Sequence, residues 1–465
     1  RSRDNSKEFS ISSAIALDKL LPEKWGFRIP LYVNYDLRDV KPNFNPYDPD
    51  TPLATSLSNY PENDPRREQL ENASTEKAER KGFNFSNVRK TKTNPSAKRN
   101  LWDFENFAFT YAFNEQTRRN SMIADYTQRQ YKAGIIYQYG FPQRSWAPFG
   151  TVKSLERPYL ELLKDFNLSL LPTQIAVRFD ADRNFVKTQY RSADLTSEGQ
   201  APLFEKYFLF NRAYDLSWNL TKSVVLTYSA FANAVVDEPN GDIDTRAKQD
   251  SIWRHLRNFG RTKNFDQKIR LTYRLPLDKI PLLDWMTADY SHNIGYQFQA
   301  NSLGISDTSG IAYGNIIRNS LDRSIRGKVD FVKLYNKLRY LRFANNPSPP
   351  RKNFARSPGD DEEITRESSR LLKNITRLVM TVRGIDVDYS RQETTTVPGF
   401  MPDNTGFLGL GANKVPGLPF VLGSQNPSTQ RTLAKDGFIS KSAMLNLPFM
   451  QTRNRTFRMN TRLEP

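Results

Sequence analysis

Period-two alternation of apolar and polar residues runs through most of this chain, and the apolar partner is commonly Phe, Tyr, Leu or Ile. Because a strand turns successive side chains to opposite faces, this pattern predicts two-faced β-strands and leaves little room for helices. Phe9, Ile11, Ser13, Ile15 and Leu17 alternate; after a break at Pro22 and Gly26, so do Ile29, Leu31, Val33, Tyr35 and Leu37, which predicts a hairpin. Phe107, Phe109, Tyr111 and Phe113 share one face of a later segment, and Tyr131, Ala133, Ile135, Tyr137 and Tyr139 one face of the next. Similar runs begin at Ile175, Tyr214, Val224, Phe265, Met286, Leu321 and Leu378.

Roughly a dozen such segments of about ten residues each have the length a tilted strand needs to cross an outer membrane. Soluble sandwiches use shorter strands, about five or six residues. The expected fold is therefore all-β and antiparallel, a transmembrane β-barrel with long loops and a few short helices, with a soluble β protein as the competing form. No run of about 18 apolar residues occurs, which excludes a helical span and leaves a barrel untouched.

Loop inserts are expected near 41–82, 341–365 and 397–430. Residues 61–82 are dense in both charges and read as a solvated loop or exposed helix. FVKLYNKLRYL, with Phe331, Leu334, Tyr335 and Leu338 at helical spacing, is the helical exception. In 397–425 the Pro and Gly content forbids a regular strand, yet Phe400, Phe407, Leu418 and Phe420 are too apolar for a freely solvated loop. They are candidate partner contacts, or else pack on their own barrel.

Catalytic chemistry has little to work with. The absence of cysteine removes disulfides, thiolate metal sites and thiol nucleophiles, and only His255 and His292 remain for imidazole chemistry. Neither sits in a triad-like pattern. The pair Gly409 and Gly411 lacks the third glycine of a dinucleotide loop, and Asp360, Asp361, Glu362 and Glu363 match no calcium loop. No enzyme, cofactor or metal is expected. The net charge of +18 suggests anionic contacts, but the basic residues are spread along strand faces and no nucleic-acid motif accompanies them. Residues 87–100 form the one compact basic cluster.

NVRKTKTNPSAKRNLWDFENFAFTYAFNEQTRRN resembles a segment of the SprA (Sov) family, the giant outer-membrane translocons of the type IX secretion system and of gliding motility. LDKLLPEKWGFRIPLYVNY, LLPTQIAVRFDADRNF, FNRAYDLSWNLTKSVVLTYSAFANAVVDEP, IWRHLRNFGRTKNF, YRLPLDKIPLLDW, FVKLYNKLRYL, VPGFMP and VPGLPFVLGSQ are similar to family segments in the family's order, over roughly residues 8 to 425. Family members are several times longer and begin with a signal peptide, so the chain is expected to be an internal piece. The resemblance implies one sector, residues 1–465, of a very large single-chain barrel in the outer membrane that exports folded cargo. It also implies a wall partner and periplasmic plug proteins, and no catalytic residues.

On that basis Phe107, Phe109, Tyr111, Phe113, Ile269, Leu271 and Tyr273 are expected to face lipid or the barrel wall. The opposite residues Asn106, Thr110, Asn114, Lys268, Arg270 and Arg274 are expected to line the pore. The competing function, from the basic charge, is a soluble or surface-bound β-rich protein that binds a polyanion without a pore.

Overall fold

The computed structural model describes the chain except residues 1–3, 95, 97, 98, 153–158, 193–199, 303, 305, 338–379, 403–405, 412, 413, 446 and 465. Thirteen long strands follow one another in an antiparallel meander. They are β1 (Asp4–Ala16), β2 (Pro30–Pro42), β3 (Glu76–Lys90), β4 (Phe107–Arg119), β5 (Ile123–Gly140), β6 (Gln174–Tyr190) and β7 (Leu203–Asn219). Then come β8 (Val224–Val235), β9 (Arg261–Leu275), β10 (Met286–Gln299), β11 (Asn315–Asp330), β12 (Val382–Phe400) and β13 (Met450–Leu463). A two-residue strand, Phe27–Arg28, adds to β3 and makes the sheet fourteen-stranded. β1 pairs only with β2 and β13 only with β12, so among the described residues the sheet is open, with two unpaired edges.

The expected first hairpin forms, with Phe9 opposite Leu37, Ile11 opposite Tyr35 and Ile15 opposite Leu31. The strands are longer than expected, 12 to 19 residues. In β4, for example, the apolar run Phe107–Phe113 is followed by Glu115, Arg118 and Arg119, which still have ladder partners.

Three expectations are corrected. Residues 76–82 belong to β3 and not to a solvated insert; the exposed helix before it is α2 (Pro65–Ser74), packed against α1 (Leu53–Ser58) through Leu53, Leu57 and Leu70. Val397, Pro398, Gly399 and Phe400 end β12 in spite of their Pro and Gly, because a register shift opposite Asn315 absorbs the irregularity and Gly399 adopts φ 77°. The strand expected from Leu378 starts at Val382, and Leu378 lies outside the described residues. So does the insert at 341–365 apart from the helix before it, α5 (Phe331–Lys337), whose Tyr335 hydroxyl donates to the Val382 carbonyl.

The connections leave the sheet at two ends. One end carries the insert between β12 and β13, whose short helices are α6 (Leu418–Val421) and α7 (Thr429–Lys435). Phe420, Val421 and Leu433 bury themselves there against Phe265, Tyr296, Phe298, Ile317, Val397 and Phe400, which is the main apolar core. Gly409 comes so close to the Tyr296 ring that a Cβ would sit 2.4 Å from it, so only glycine fits. At the other end, Lys279 clasps Glu161 at 2.6 Å and Asp165 at 2.9 Å, tying the β9–β10 turn to α3 (Glu161–Lys164).

This clasp has a defined pH window. The hydrogen bonds that Lys279 donates to Glu161 and then to Asp165 raise the Lys279 pKa, and the one accepted by Asp165 lowers that of Asp165. The lowered carboxyl favours the folded state at neutral pH and loses that contribution as acid protonates it; the raised ammonium loses its own only in strong alkali. Protease cleavage of the 141–173 segment is therefore expected to rise below the ordinary carboxylate value of 3.8, and Lys279→Ala should reproduce the rise at neutral pH. Equal cleavage of parent and variant at both pH values would show that the clasp does not hold this end.

Candidate functional site: a polar wall backed by an apolar band

The register carries one face across the whole sheet. Tyr111 lies opposite Phe85 and Ala133, Ile135 opposite Phe179, Tyr228 opposite Ile269, and Ile269 opposite Ile294. Opposed residues in a ladder share a face. So Phe107, Phe109, Tyr111, Phe113, Ile269, Leu271 and Tyr273 all lie on one side, together with Ile325, Tyr389 and Phe457 farther along. Together they form a band that covers four rows of β4, from Phe107 to Phe113, and fewer rows on strands such as β12, where Arg391 and Glu393 follow Tyr389. Much of it is exposed: Phe109, Tyr111, Ile135, Ile325, Tyr389 and Phe457 all have large solvent-facing areas.

The other side of the same rows is polar or small. Thr110 and Asn114 lie there, with Gly134 and Gln130 opposite them. Lys268, Arg270 and Arg274 lie there too, all exposed, opposite Gly295, Asn293 and Asp289. Arg270 Nε donates to Asn293 Oδ1 at 3.0 Å, and Asn293 in turn donates to Asp322 at 3.3 Å. Acids are interleaved with the bases: Arg178 meets Asp180 at 2.6 Å and Lys132 meets Asp182 at 3.6 Å. The basic stripe is therefore one part of a mixed-charge wall.

Asn106 departs from this placement. It ends a 3-10 turn before β4, is buried, and donates from Nδ2 to the carbonyls of Asn100 at 2.7 Å and Leu101 at 3.1 Å. It pins a connection and does not lie on the polar wall; alternation extended one residue beyond the strand end misplaced it.

The apolar band stops at a belt of charge on its own face. Glu115 stands between Lys81 at 3.7 Å and Arg129 at 3.6 Å, and Arg183 pairs with Glu238 at 2.5 Å. The densest part is Glu393, 3% exposed, which accepts from Arg323 at 3.0 Å and from Arg391 and Arg453 at 2.8 Å each. Just beyond it, Gln425 of the insert accepts from Thr395 at 2.6 Å and donates to Asn319 at 3.0 Å, while Asn319 donates to the Phe420 carbonyl at 2.8 Å. These polar groups lock the insert in place.

Of the four candidate partner contacts, Phe400 and Phe420 are buried in the chain's own core and have no surface to offer. Sealing 3% and 1% exposed rings against β9–β12 is why this Gly- and Pro-rich stretch is apolar. Leu418 is exposed, and Phe407 lies in the turn Phe407–Gly409. His255 Nδ1 is 2.7 Å from the Asp237 carbonyl, and His292 Nδ1 is 3.1 Å from the Tyr290 hydroxyl. Among the described residues no three His, Asp or Glu side chains gather as metal ligands.

Sequence periodicity missed the Glu393 cluster, because one acid amid QETTT carries no signal of its three arginines, two of them on other strands. No curated protein matches the chain. Residues 1–57, which span β1, β2 and the start of the first insert, match the N-terminal SprA family model, described as a motility related/secretion protein. That match likens the N-terminal part of the chain to a motility related/secretion protein.

Proposed function

We propose that the chain is a sector of a very large β-barrel in the outer membrane, and that its polar face lines an aqueous channel through which the type IX secretion system exports folded cargo. The observation that carries this reading is the two-faced sheet: an exposed apolar band on one side of thirteen strands and a mixed-charge wall on the other. A soluble polyanion-binding protein would have to leave that band in water, at a size soluble monomers rarely tolerate. The four rows of β4 span about 20 Å along the strand, or about 15 Å of height at barrel tilt, which fits within the apolar band of about 25 Å in outer-membrane barrels.

The unpaired edges at β1 and β13 are where the remainder of the same barrel chain would join. Barrel diameter grows with strand number, so a ring in which these thirteen strands are only one arc is wide enough for a folded domain. The contributions of this chain are then structural and electrostatic, without catalysis. Lys268, Arg270 and Arg274 would meet acidic patches of cargo at the wall; their field decays over about 8 Å at physiological salt, too short to gate a wide channel. A wall partner and periplasmic plug proteins would close the remaining surfaces.

This chain has no cysteine, so each introduced thiol is the single one in its sector and the parent protein serves as the labelling background. In the full protein in its membrane, Thr110→Cys, Thr227→Cys and Ser291→Cys are expected to react with a membrane-impermeant maleimide, while Phe109→Cys, Leu226→Cys and Tyr290→Cys stay protected. A bulky polyethylene-glycol maleimide on Thr227→Cys or Ser291→Cys should then stop cargo release. Reaction at the apolar positions would overturn the membrane orientation, and undiminished export past the bulky adduct would overturn the channel.

A further inference from the structure

The connection between β8 and β9 forms an amphipathic helix, α4 (Arg246–Arg257), that lies over the apolar side of the sheet. Its inner residues Ile252 and Leu256 are half-buried. The helix is fastened there: Phe259 just beyond it stacks on Phe210 at 6.2 Å, the Arg212 guanidinium covers the Phe259 ring, and His255 holds the Asp237 carbonyl. Beneath it is an open cavity of about 510 Å³ whose walls include Tyr111, Ala133 and Ala181 of the apolar band. Arg129 and Arg183 of the charged belt complete the same cavity, so α4 lies on the boundary between the two zones.

The outer face of α4 is unusual for a surface helix. Arg246, Asp250, Arg254 and Arg257 recur at helical spacing and face solvent, and Trp253, 67% exposed, stands beside them where it also forms part of the cavity rim. Among the described residues none of the three arginines makes an ion pair. Lys248, by contrast, is tied to Asp244 at 2.8 Å, and Arg129 and Arg183 already have Glu115 and Glu238. An exposed indole between unpaired guanidiniums, on a helix at the edge of an apolar band, is the composition of a helix that lies in a membrane interface.

We infer that α4 rests on the lipid surface and binds the phosphate-bearing headgroup of an anionic membrane lipid. In this arrangement Arg246, Arg254 and Arg257 hold the phosphate, Trp253 is at headgroup depth, and the cavity takes the upper part of an acyl chain against Tyr111 and Ala133. Charge complementarity selects the occupant: the helix face carries three free cations against one acid, Asp250, and an apolar segment alone would not need them. The site rests on the reading that the band faces lipid, and it adds a lipid class to that reading.

The test uses the full protein in nanodiscs of phosphatidylcholine with and without phosphatidylglycerol. Lipid brominated near the glycerol end should quench a tryptophan component that Trp253→Phe removes. The triple variant R246Q/R254Q/R257Q should retain less phosphatidylglycerol on purification, up to about fivefold less per arginine, with phosphatidylcholine unchanged. Millimolar inorganic phosphate should not displace the lipid. Three results would each overturn the proposal: quenching that survives Trp253→Phe in full, parental phosphatidylglycerol retention in the triple variant, or displacement by free phosphate. Maleimide protection of Leu226→Cys in the same discs separates the two levels, since its loss refutes the lipid-facing band, whereas its persistence with a failed α4 result refutes the headgroup site alone.

Discussion

Glu393→Leu is expected to lower the stability of the assembled protein by about 3 kcal/mol, near the lower end of what breaking a buried ion pair costs. The carboxylate is almost fully buried and accepts from three guanidiniums on three adjacent strands, β11, β12 and β13. Removing it leaves Arg323, Arg391 and Arg453 facing one another with their common counter-ion gone. The arginines keep partial contact with water, which holds the cost below that of a fully enclosed charge. Arg453→Gln is the contrast: it is the most exposed of the three, and Glu393 keeps two partners, so the loss should stay within about 1 kcal/mol. Urea midpoints of the two variants in outer-membrane preparations give the comparison. Equal midpoints would show that the cluster is a crossing of surface ion pairs and not the fastener of the insert.

The two variants also bear on how the insert is held. Glu393 is followed on its own face by Thr395, which bonds Gln425, and Gln451 of β13 donates to the same Thr395 hydroxyl at 3.0 Å. Ion cluster, amide network and Phe420 core are therefore consecutive rows of one contact, and loosening the first should raise protease access to 401–449.

Most of the sheet was legible in the sequence because strand period needs no tertiary information: NFDQKIRLTYRL places every odd residue from Phe265 to Tyr273 on the face where the structure has it. β3 was not legible, and β13 was legible only as a strand-like stretch. EKAERKG and MQTRNRTFRMNTRL carry charge on both faces, and their strand state depends on ladder partners supplied by neighbours. The inserts failed for a different reason. Apolar residues in a Gly- and Pro-rich loop say that something covers them, but not whether the cover is a partner or the chain's own wall; for Phe400 and Phe420 it is the wall. IWRHLRNFG stands out in the sequence for its histidine and as part of the family-like IWRHLRNFGRTKNF, whereas the exposed face formed with Arg246 and Arg257 appears once the helix is seated on the sheet.

Phe109→Arg set against Thr110→Arg measures the orientation of the wall in energy. The two residues are neighbours on β4, paired in register with Ile135 and Gly134, and point to opposite sides. Both are exposed on the sheet, so neither substitution opens a cavity or breaks a described side-chain core. What differs is the medium. With the apolar band in lipid, an arginine at Phe109 must be dehydrated or must thin the bilayer locally, at a cost of about 2 to 4 kcal/mol near the midplane and less toward either interface. With the polar face toward the proposed channel, an arginine at Thr110 stays in water and joins a wall that already carries Arg178 and Lys132, where acids such as Asp180 and Asp182 are close by. Its cost should be within about 0.5 kcal/mol, the usual range for a surface change. Assembly yield in the outer membrane should fall steeply for Phe109→Arg and little for Thr110→Arg. The reverse order would turn the barrel inside out, with the apolar band inward and the mixed-charge wall outward, and would remove the physical basis for an aqueous channel along this face.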